Sequence, residues 1–327
     1  MPNHLTSNAD NIRYNGTGRA YLAEVGGSSY KDLGELDGFS GNVSVSKDEL
    51  KTTRTADRST ILTVESGRGA TFSFGLREQT EENLKLALMG SDIIADDQSA
   101  GSVVSEETAL VDDEYIDLGH VNTFLTKLTG AITGSLSPGD EITGATSGAT
   151  GTIAWTESDL VELVEVDGTF VAGEAAQLDI SNYITITGVS TVNDVVVVDA
   201  DVDSATPTTR YEQGTDYTLD PDYGLIRMLS AGSITSPAYV SYDYEAVTRN
   251  HFHAMSASTV QKKLLFVTDK DDQGRRYRIT VHKMDINMDG DWSLIGDGES
   301  VLPCSGTLIK DTSQPVGQEY WKHEVMS

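Results

Sequence analysis

Hydrophobic and polar residues alternate along much of this chain, and the alternation is clearest just before residue 80. Phe72, Phe74 and Leu76 are separated by small or polar residues. Side chains with a period of two point to opposite faces of a strand, so this pattern predicts a strand with one buried face. The rest of the fold is expected to be organised around this strand and the segment that follows it.

A helix is predicted directly after this strand. Thr80 is placed to cap it, two glutamates follow in the first turn, and Gly90 comes after the last turn as a C′ residue. Leu84 and Leu88, with the alanine between them, share one face at the spacing of a buried stripe. We therefore expect Leu84 and Leu88 to be buried core residues of the helix.

Strand and turn signals dominate the remaining sequence. Ser91 to Glu107 is acidic and serine-rich and is interpreted as a surface connection, and Met1 to Asn11 as a loose polar arm. Further strands are predicted at Arg19 to Val25, Val43 to Val45, Ile61 to Glu65, Leu110 to Leu118, Val195 to Val198, either side of the Asp220-Pro221 turn, Ala238 to Tyr244, Lys263 to Thr268, Arg276 to Met284 and Gly306 to Lys310. The fold class that follows is mainly β, a β-sandwich with one flanking α-helix.

The amino-acid composition changes between Thr123 and Thr187. Glycines are frequent there, including the run Gly-Ala-Thr-Ser-Gly-Ala-Thr-Gly at 144–151, and short β-branched runs lie between the turns. A flexible linker is the alternative, but Ile142, Ile153 and Trp155 supply apolar groups that a linker lacks. We predict a small all-β insertion module at 123–187, which divides the main β domain into 1–122 and 188–327.

The amino-acid composition argues against several classes of function and favours others. The chain has 327 residues and a formal net charge of −28, so its surface repels nucleic-acid phosphates and sequence-specific DNA or RNA binding is not expected. Its single cysteine, Cys304, cannot form an internal disulfide and is interpreted as an inert buried thiol. No apolar run is long enough to span a membrane and residues 1–13 are polar, so we expect a soluble protein made in the cytoplasm.

The sequence contains no convincing active site. Asp285 to Gly290 matches the first half of an EF-hand loop, but a glycine stands where the twelfth-position glutamate is required, so an acidic turn over Asp285 to Asp291 is predicted. His251 and His253 lie close together without a third metal ligand of suitable spacing. We found no nucleophile elbow, P-loop or Cys/His pairing. We therefore predict no enzyme, no cofactor and no metal site.

Three segments, taken in their order along the chain, resemble a known family. The helix segment Leu76-Arg-Glu-Gln-Thr-Glu-Glu-Asn-Leu-Lys-Leu-Ala-Leu-Met-Gly90 is followed later by Gly214-Thr-Asp-Tyr-Thr-Leu-Asp-Pro-Asp-Tyr-Gly-Leu-Ile226 and a closing β segment with Trp292. This order is similar to that of the major tail tube proteins of long-tailed, non-contractile bacteriophages. The resemblance covers roughly Arg19 to Leu118 and Val189 to Lys310, and residues 123–187 depart from the family pattern.

The resemblance implies a structural virion protein. Six copies would form a ring whose inner sheets join into a barrel, and rings would stack into a tail tube through which genomic DNA passes without sequence-specific binding. Its partners would be itself and other phage tail proteins, it would be assembled in the host cytoplasm, and the insertion would lie on the tube exterior. An acidic lumen would keep DNA from adhering. Alternatives are a distal tail or tail-terminator ring protein, a surface adhesin or carbohydrate-binding module, and a polysaccharide-cleaving enzyme.

One charged segment is a candidate for the contact between stacked rings. Lys47, Lys51, Arg54 and Arg58 are concentrated between the Val43 and Ile61 strands of a strongly acidic chain, in a segment, Lys47 to Arg58, that shows neither helical nor strand periodicity. We interpret it as a long loop or hairpin tip that binds carboxylates of a neighbouring ring. The alternative is a solvated loop in which these cations balance local acidic residues.

Overall fold

The computed structural model describes residues 17–54, 56–270 and 274–326. The first part of the chain forms β1 (Gly18–Glu24), β2 (Lys31–Asp32), β3 (Leu36–Lys51), β4 (Thr60–Leu76), α1 (Glu81–Ala87), β5 (Ile94–Ala95), β6 (Gly101–Thr108), β7 (Tyr115–Asp117), β8 (Thr123–Thr133), β9 (Glu141–Gly144), β10 (Thr150–Glu157), β11 (Leu160–Asp167), β12 (Ala175–Gln177) and β13 (Tyr183–Val192). The second forms β14 (Val196–Val198), β15 (Arg210–Tyr211), β16 (Tyr217–Asp220), β17 (Leu225–Met228), β18 (Ala238–Tyr244), β19 (Asn250–His251), β20 (Gln261–Thr268), β21 (Arg276–Met288), β22 (Leu302–Leu308) and β23 (Trp321–Met326).

The prediction of a mainly β protein with one helix is confirmed. Strands account for 52% of the residues and helix for 2%. In the described part of the chain α1 is the only α-helix, and no helix there is long and apolar enough to cross a membrane. A closed six-stranded barrel, which was not predicted, is also present.

The chain divides into two compact units at different positions from those predicted. One unit comprises residues 1–94 and 251–327, and the other is the continuous segment 95–250. The small module was predicted to begin at residue 123 and to end at 187. The segments on either side of it, 95–122 and 188–250, belong to the same unit because strands β6, β14, β15 and β18 continue the sheet that contains β8.

The unit formed by the two ends of the chain is built on one branched antiparallel sheet. Its strand order is β2-β1-β20-β21-β22-β4-β3, and β23 pairs with the other half of the long strand β21. Phe72, Phe74 and Leu76 point into its core, as their alternation predicted. The Phe72 ring packs edge-on against Trp321 of β23, with 6.5 Å between the ring centroids, so the core lies between the branches.

The helix begins where the sequence predicted, but it buries a different face. Thr80 caps α1 by accepting a hydrogen bond from the Asn83 N–H. The buried side chains are those of Asn83, Leu86 and Ala87, whereas Leu84 and Leu88 are only partly buried, which corrects the predicted stripe. The buried face was assigned wrongly from the sequence because its first residue, Asn83, is polar.

Asn83 is buried because its side-chain amide donates to the backbone oxygens of Leu33 and Glu78, at 3.1 and 2.8 Å. The C-terminal end also differs from the prediction. Met89, with φ of 51°, takes the left-handed position, and Gly90 follows it, donating to Lys85 O at 2.8 Å in a Schellman arrangement.

We expect Leu86→Ala to destabilise the unit far more than Leu88→Ala does. Leu86 is 8% exposed and belongs to the core cluster, so its truncation leaves a cavity and should cost about 2 to 5 kcal/mol. Leu88→Ala is the matched control, with an expected cost below that of Leu86→Ala. Urea denaturation of the two variants measures the difference, and equal costs would contradict this assignment of the buried face.

The second unit contains the closed barrel. Strands β8 to β13 pair in the order β11-β10-β9-β12-β13-β8, and β11 also pairs with β8, which closes the sheet on itself. Its interior is filled by apolar side chains, among them Leu128, Ile142, Ile153, Leu163 and Ile184. A barrel of this kind has no free sheet edge within the ring of strands. The barrel occupies residues 123–192, close to the predicted insertion module.

Around the barrel, the second unit adds further β-structure. Strand β18 pairs with β6, with β14 and, through Asp243 and Tyr244, with the start of β8. A separate three-stranded sheet has the order β16-β17-β7 and includes the strand, turn and strand predicted on either side of Pro221. The remaining short pair, β5 and β19, forms a two-stranded sheet.

Several predicted boundaries need correction. Ser91 to Glu107, interpreted as a connection, contains β5 and most of β6, while the strand predicted over Leu110 to Leu118 is only three residues long. Strand β22 (Leu302–Leu308) overlaps the predicted strand Gly306 to Lys310 but begins four residues earlier and ends two residues earlier, and β23 was not predicted. Met1 to Asn11 and residues 271–273 lie outside the described residues.

Candidate assembly surface

The hairpin formed by β3 and β4 is the most unusual surface feature of the first unit. The bases of both strands belong to the sheet, but the hairpin continues well beyond it, pairing from Val43 opposite Ala70 to Lys51 opposite Thr60. Apart from Thr52, every described residue from 41 to 68 is exposed. The hairpin therefore has solvent on both faces for most of its length.

Apolar side chains are displayed along this hairpin. Val43 is 62% exposed, Ile61 is 63% exposed, and Leu50 and Leu62 lie directly opposite each other near the tip with more than half of each exposed. An isolated two-stranded hairpin is only marginally stable in water. Exposed apolar residues gathered on one projecting element mark an interaction surface.

The four cations predicted to form a contact all lie on this hairpin. Lys47 and Lys51 are in β3, which corrects the prediction that Lys47 to Arg58 lacks strand structure, and Arg54 and Arg58 are in the connection that follows. None of these four side chains forms an ion pair with a described residue. Thr55, within the connection, lies outside the described residues.

Asp48, Glu49 and Asp57 lie among these cations in the sequence. Together with Arg68, the charge of Lys47 contributes to lowering the pKa of Glu65, but none of these acidic groups forms an ion pair with the four cations in the described part of the chain. Glu65 stands opposite Lys47 in the register, but it is hydrogen-bonded to Arg68, and this bond lowers the pKa of Glu65. Glu49 accepts a hydrogen bond from Thr60 Oγ1 at 3.1 Å. The tip thus combines unpaired positive charge with exposed apolar groups in a chain of net charge −28.

The outer edge of β3 is also unpaired. This strand ends the sheet order, so along its sixteen residues no other described strand takes up the backbone N–H and C=O groups on its free side. A long free edge is a template for pairing with another chain, and soluble proteins usually cover or shorten it. The register shifts seen in β3 and β4 occur where these two strands pair with each other, and the pairing of β4 with β22 has none.

The other side chains considered from the sequence do not gather into a site. Asp285 and Asn287 are part of β21, so the acidic turn begins only at Asp289. The rings of His251 and His253 meet edge to face at 5.5 Å, and within the described ranges no group of three or more His, Cys, Asp or Glu side chains could hold a metal ion. Cys304 is buried, and burial raises the pKa of its thiol to about 12.

A buried charge network in the second unit was not predicted. Arg210 donates to both carboxylate oxygens of Glu162, at 2.6 and 2.9 Å, and to Asp194 at 3.3 Å. Lys127 lies 2.7 Å from Glu162, and the Tyr217 hydroxyl lies 2.9 Å from Asp194. The Glu162 side chain is fully buried and that of Arg210 is 6% exposed.

The buried part of this network pairs two carboxylates, Glu162 and Asp194, with Arg210 and Lys127, and the exposed Glu212 adds a third carboxylate 3.1 Å from Arg210. Burial by itself lowers the pKa of Arg210, but Glu162 and Asp194 raise it above its usual value, so the guanidinium stays charged. Burial and Asp194 together raise the pKa of Tyr217, which keeps its hydroxyl protonated. The network ties barrel strands β8 and β11 to the segment around β14 to β16, and its central pair, Glu162 and Arg210, is buried, which indicates a structural role.

A second buried carboxylate organises the glycine-rich run of the barrel. Glu174 accepts hydrogen bonds from the N–H groups of Val171, Thr146 and Ser147 and from the Ser147 hydroxyl, at 2.8 to 2.9 Å. Burial opposes its ionisation, but these bonds outweigh burial and lower the pKa of Glu174 to about 2. Glu174 therefore fixes the loop at 145–148.

Glu174→Gln should destabilise the second unit at pH 7 by about 1 to 3 kcal/mol, because the amide leaves at least one buried donor unsatisfied. The lowered pKa means that the carboxylate stabilises the fold fully above about pH 4.5 and loses this effect as the pH falls towards 2. Thermal unfolding at pH 7 and pH 3 should show a smaller difference from wild type at the lower pH. Glu141→Gln, on an exposed barrel residue, is the control, and a Glu174 variant that melts like it would contradict the assigned role.

Comparison with known proteins places the chain in one family. The model of the family described as "Protein of unknown function UCP028589" matches residues 13–156 and 161–320. The chain belongs to this family. The UCP028589 match includes the hairpin, the helix and most of the barrel and covers parts of both units, whereas residues 157–160 and strand β23 lie outside it. No curated protein matches the chain significantly.

Proposed function

We propose that this chain is a structural virion protein that forms stacked rings, six copies to a ring, which make the tail tube of a long-tailed, non-contractile bacteriophage. The observation that carries the proposal is the β3–β4 hairpin. It presents a long unpaired edge, exposed apolar groups and unpaired cations on one projecting element. Association with further copies of the chain would cover all three features.

The branched sheet with its flanking helix also suits this proposal. In the tail-tube-like sandwich that the sequence resembles, a sheet joins those of neighbouring copies edge to edge to form a closed inner barrel. The first unit has one long free edge, β3, and a second exposed strand, β23, which supply two different edges for such joining.

The large negative net charge of the chain is consistent with a channel through which DNA passes. With a net charge of −28, carboxylates would line much of any channel that the copies enclose, and they would repel phosphates instead of binding them. DNA could then slide without adhering. No catalytic role, cofactor or metal ion is part of the proposal.

Sedimentation velocity of the purified protein over a range of concentrations tests the proposal. We expect species much larger than a monomer of 35.2 kDa to form from this chain alone. When duplex DNA is added at about 50 mM salt, we expect it not to bind to the protein. A protein that stays monomeric at all concentrations, or that binds DNA tightly, would contradict it. A monomer that instead binds oligosaccharides would favour the carbohydrate-binding alternative.

A further inference from the structure

An open cleft lies in the first unit, beside the base of the hairpin. It has a volume of about 820 Å³ and is bordered by the ends of β1, β3 and β20. Its apolar part is formed by Phe39, Phe72 and Phe266, and the Phe39 ring stacks on that of Phe266 with 4.1 Å between centroids and on that of Phe72 at 5.3 Å. Phe39 and Phe266 are only partly buried, so the cleft offers an aromatic surface to solvent.

The rim of this cleft is acidic. Asp32, Glu35, Glu78 and Asp269 line it, and Arg19 is the one cation among the described lining residues. None of the four carboxylates forms an ion pair with a described residue.

Three of these carboxylates are held in place by hydrogen bonds. Asp32 accepts from the Gly34 N–H at 3.0 Å, Glu78 from the Glu35 N–H at 3.0 Å, and Asp269 from Thr17 Oγ1 at 2.6 Å. Side chains that are already ordered lose less conformational entropy when they bind a cation. The rim is thus prepared for a positively charged partner.

The hairpin tip and the cleft are complementary in both charge and polarity. Residues 47–58 of the hairpin carry four cations, Lys47, Lys51, Arg54 and Arg58, and three acids, Asp48, Glu49 and Asp57, so this segment is net positive, whereas the described lining residues of the cleft include four carboxylates and one cation. The exposed aliphatic pair near the tip, Leu50 and Leu62, corresponds to the partly buried rings of Phe39 and Phe266 in the cleft. Guanidinium groups can bind carboxylates through two parallel hydrogen bonds, which favours Arg54 and Arg58 in this contact.

We propose that the cleft bordered by Phe39, Phe72 and Phe266 is the docking site for the β3–β4 hairpin tip of a second copy of this chain. Tip and cleft are different surfaces of the same unit, so the contact is head-to-tail. A head-to-tail contact does not stop at a dimer, because each added copy presents a new free tip or a new free cleft. The inference rests on the proposed function, since it names the surface that receives the inter-ring hairpin.

Disulfide trapping between two full-length variants tests the docking itself. Thr53→Cys at the tip is mixed with Glu35→Cys at the cleft rim, and peptide mapping after mild oxidation measures the mixed disulfide. Glu157→Cys, an exposed glutamate of the barrel, replaces Glu35→Cys in the control. We expect at least a tenfold larger yield with the cleft variant, and equal yields would overturn the docking site.

A charge exchange provides a second test. Arg54→Glu/Arg58→Glu and Glu35→Lys/Asp269→Lys should each abolish self-association alone, because tip and cleft then carry charges of the same sign. Mixing the two proteins should restore association, since each acidic tip can dock in a basic cleft and each basic tip in an acidic cleft. Association of the cleft variant alone at wild-type strength would overturn the proposal.

The two tests separate this inference from the proposed function. Tubes without the mixed disulfide would leave the tail-tube proposal standing and reject the cleft as the docking site. The mixed disulfide without tubes would support docking and reject the tube. Absence of both would reject both.

Discussion

Arg210→Met should destabilise the second unit by about 3 to 5 kcal/mol, the largest effect on stability that we expect from a single substitution in this protein. The substitution removes the guanidinium that satisfies both oxygens of Glu162, whose side chain is fully buried. Among the described residues, Lys127 is then the one cation left for Glu162 and Asp194, so one of these two carboxylates is uncompensated, and that penalty dominates. Hydrogen exchange measures it, as faster exchange of the amides of β8 and β11.

Two comparisons make this result specific. Arg227→Met removes the partly exposed contact with Asp113, at 3.0 Å, and should cost about 1 kcal/mol or less. The double variant Glu162→Leu/Arg210→Met removes both buried partners and should recover much of the stability, because apolar replacement of a whole buried pair is often tolerated. A single variant as stable as the Arg227 control would show that the network contributes little.

Arg54→Glu/Arg58→Glu should abolish growth into tubes and leave the fold intact. Both residues lie in the exposed connection of the hairpin and form no ion pair with a described residue, so stability should change by less than about 0.5 kcal/mol. The reversal makes the tip acidic, and an acidic surface repels the carboxylates of a neighbouring copy. Electron microscopy and thermal unfolding of the same preparation measure the two effects.

The control for this variant is Arg227→Glu/Arg249→Glu, which changes the net charge equally but lies in the second unit. It should assemble like the wild type. Normal tubes from the hairpin variant would refute the role of Arg54 and Arg58, and loss of tubes from both variants would indicate a general effect of net charge.

The sequence was sufficient to predict the strand that buries one face in the core and the residue at which the helix begins. The alternation of Phe72, Phe74 and Leu76 and the cap at Thr80 were both confirmed. The buried face of α1 was missed because Asn83 interrupts the apolar stripe and is satisfied by carbonyl groups that only the folded chain brings near. The strand at Lys47 to Lys51 was missed for a different reason. Both faces of the hairpin meet solvent, so no alternation marks it.

The candidate site could be predicted only in part. The concentration of Lys47, Lys51, Arg54 and Arg58 is visible in the sequence, but the cleft is not, because its aromatic side chains come from β3, β4 and β20. The Glu162 and Arg210 pair spans 48 residues and depends on closure of the barrel. Local patterns predict elements, whereas these sites depend on which elements the topology places together.

Negative-stain electron microscopy of the purified wild-type protein shows directly whether this chain assembles into a tube. We expect uniform rings or hollow rods with an open channel, formed by this chain without any other protein. Monodisperse single copies at every concentration examined would contradict it.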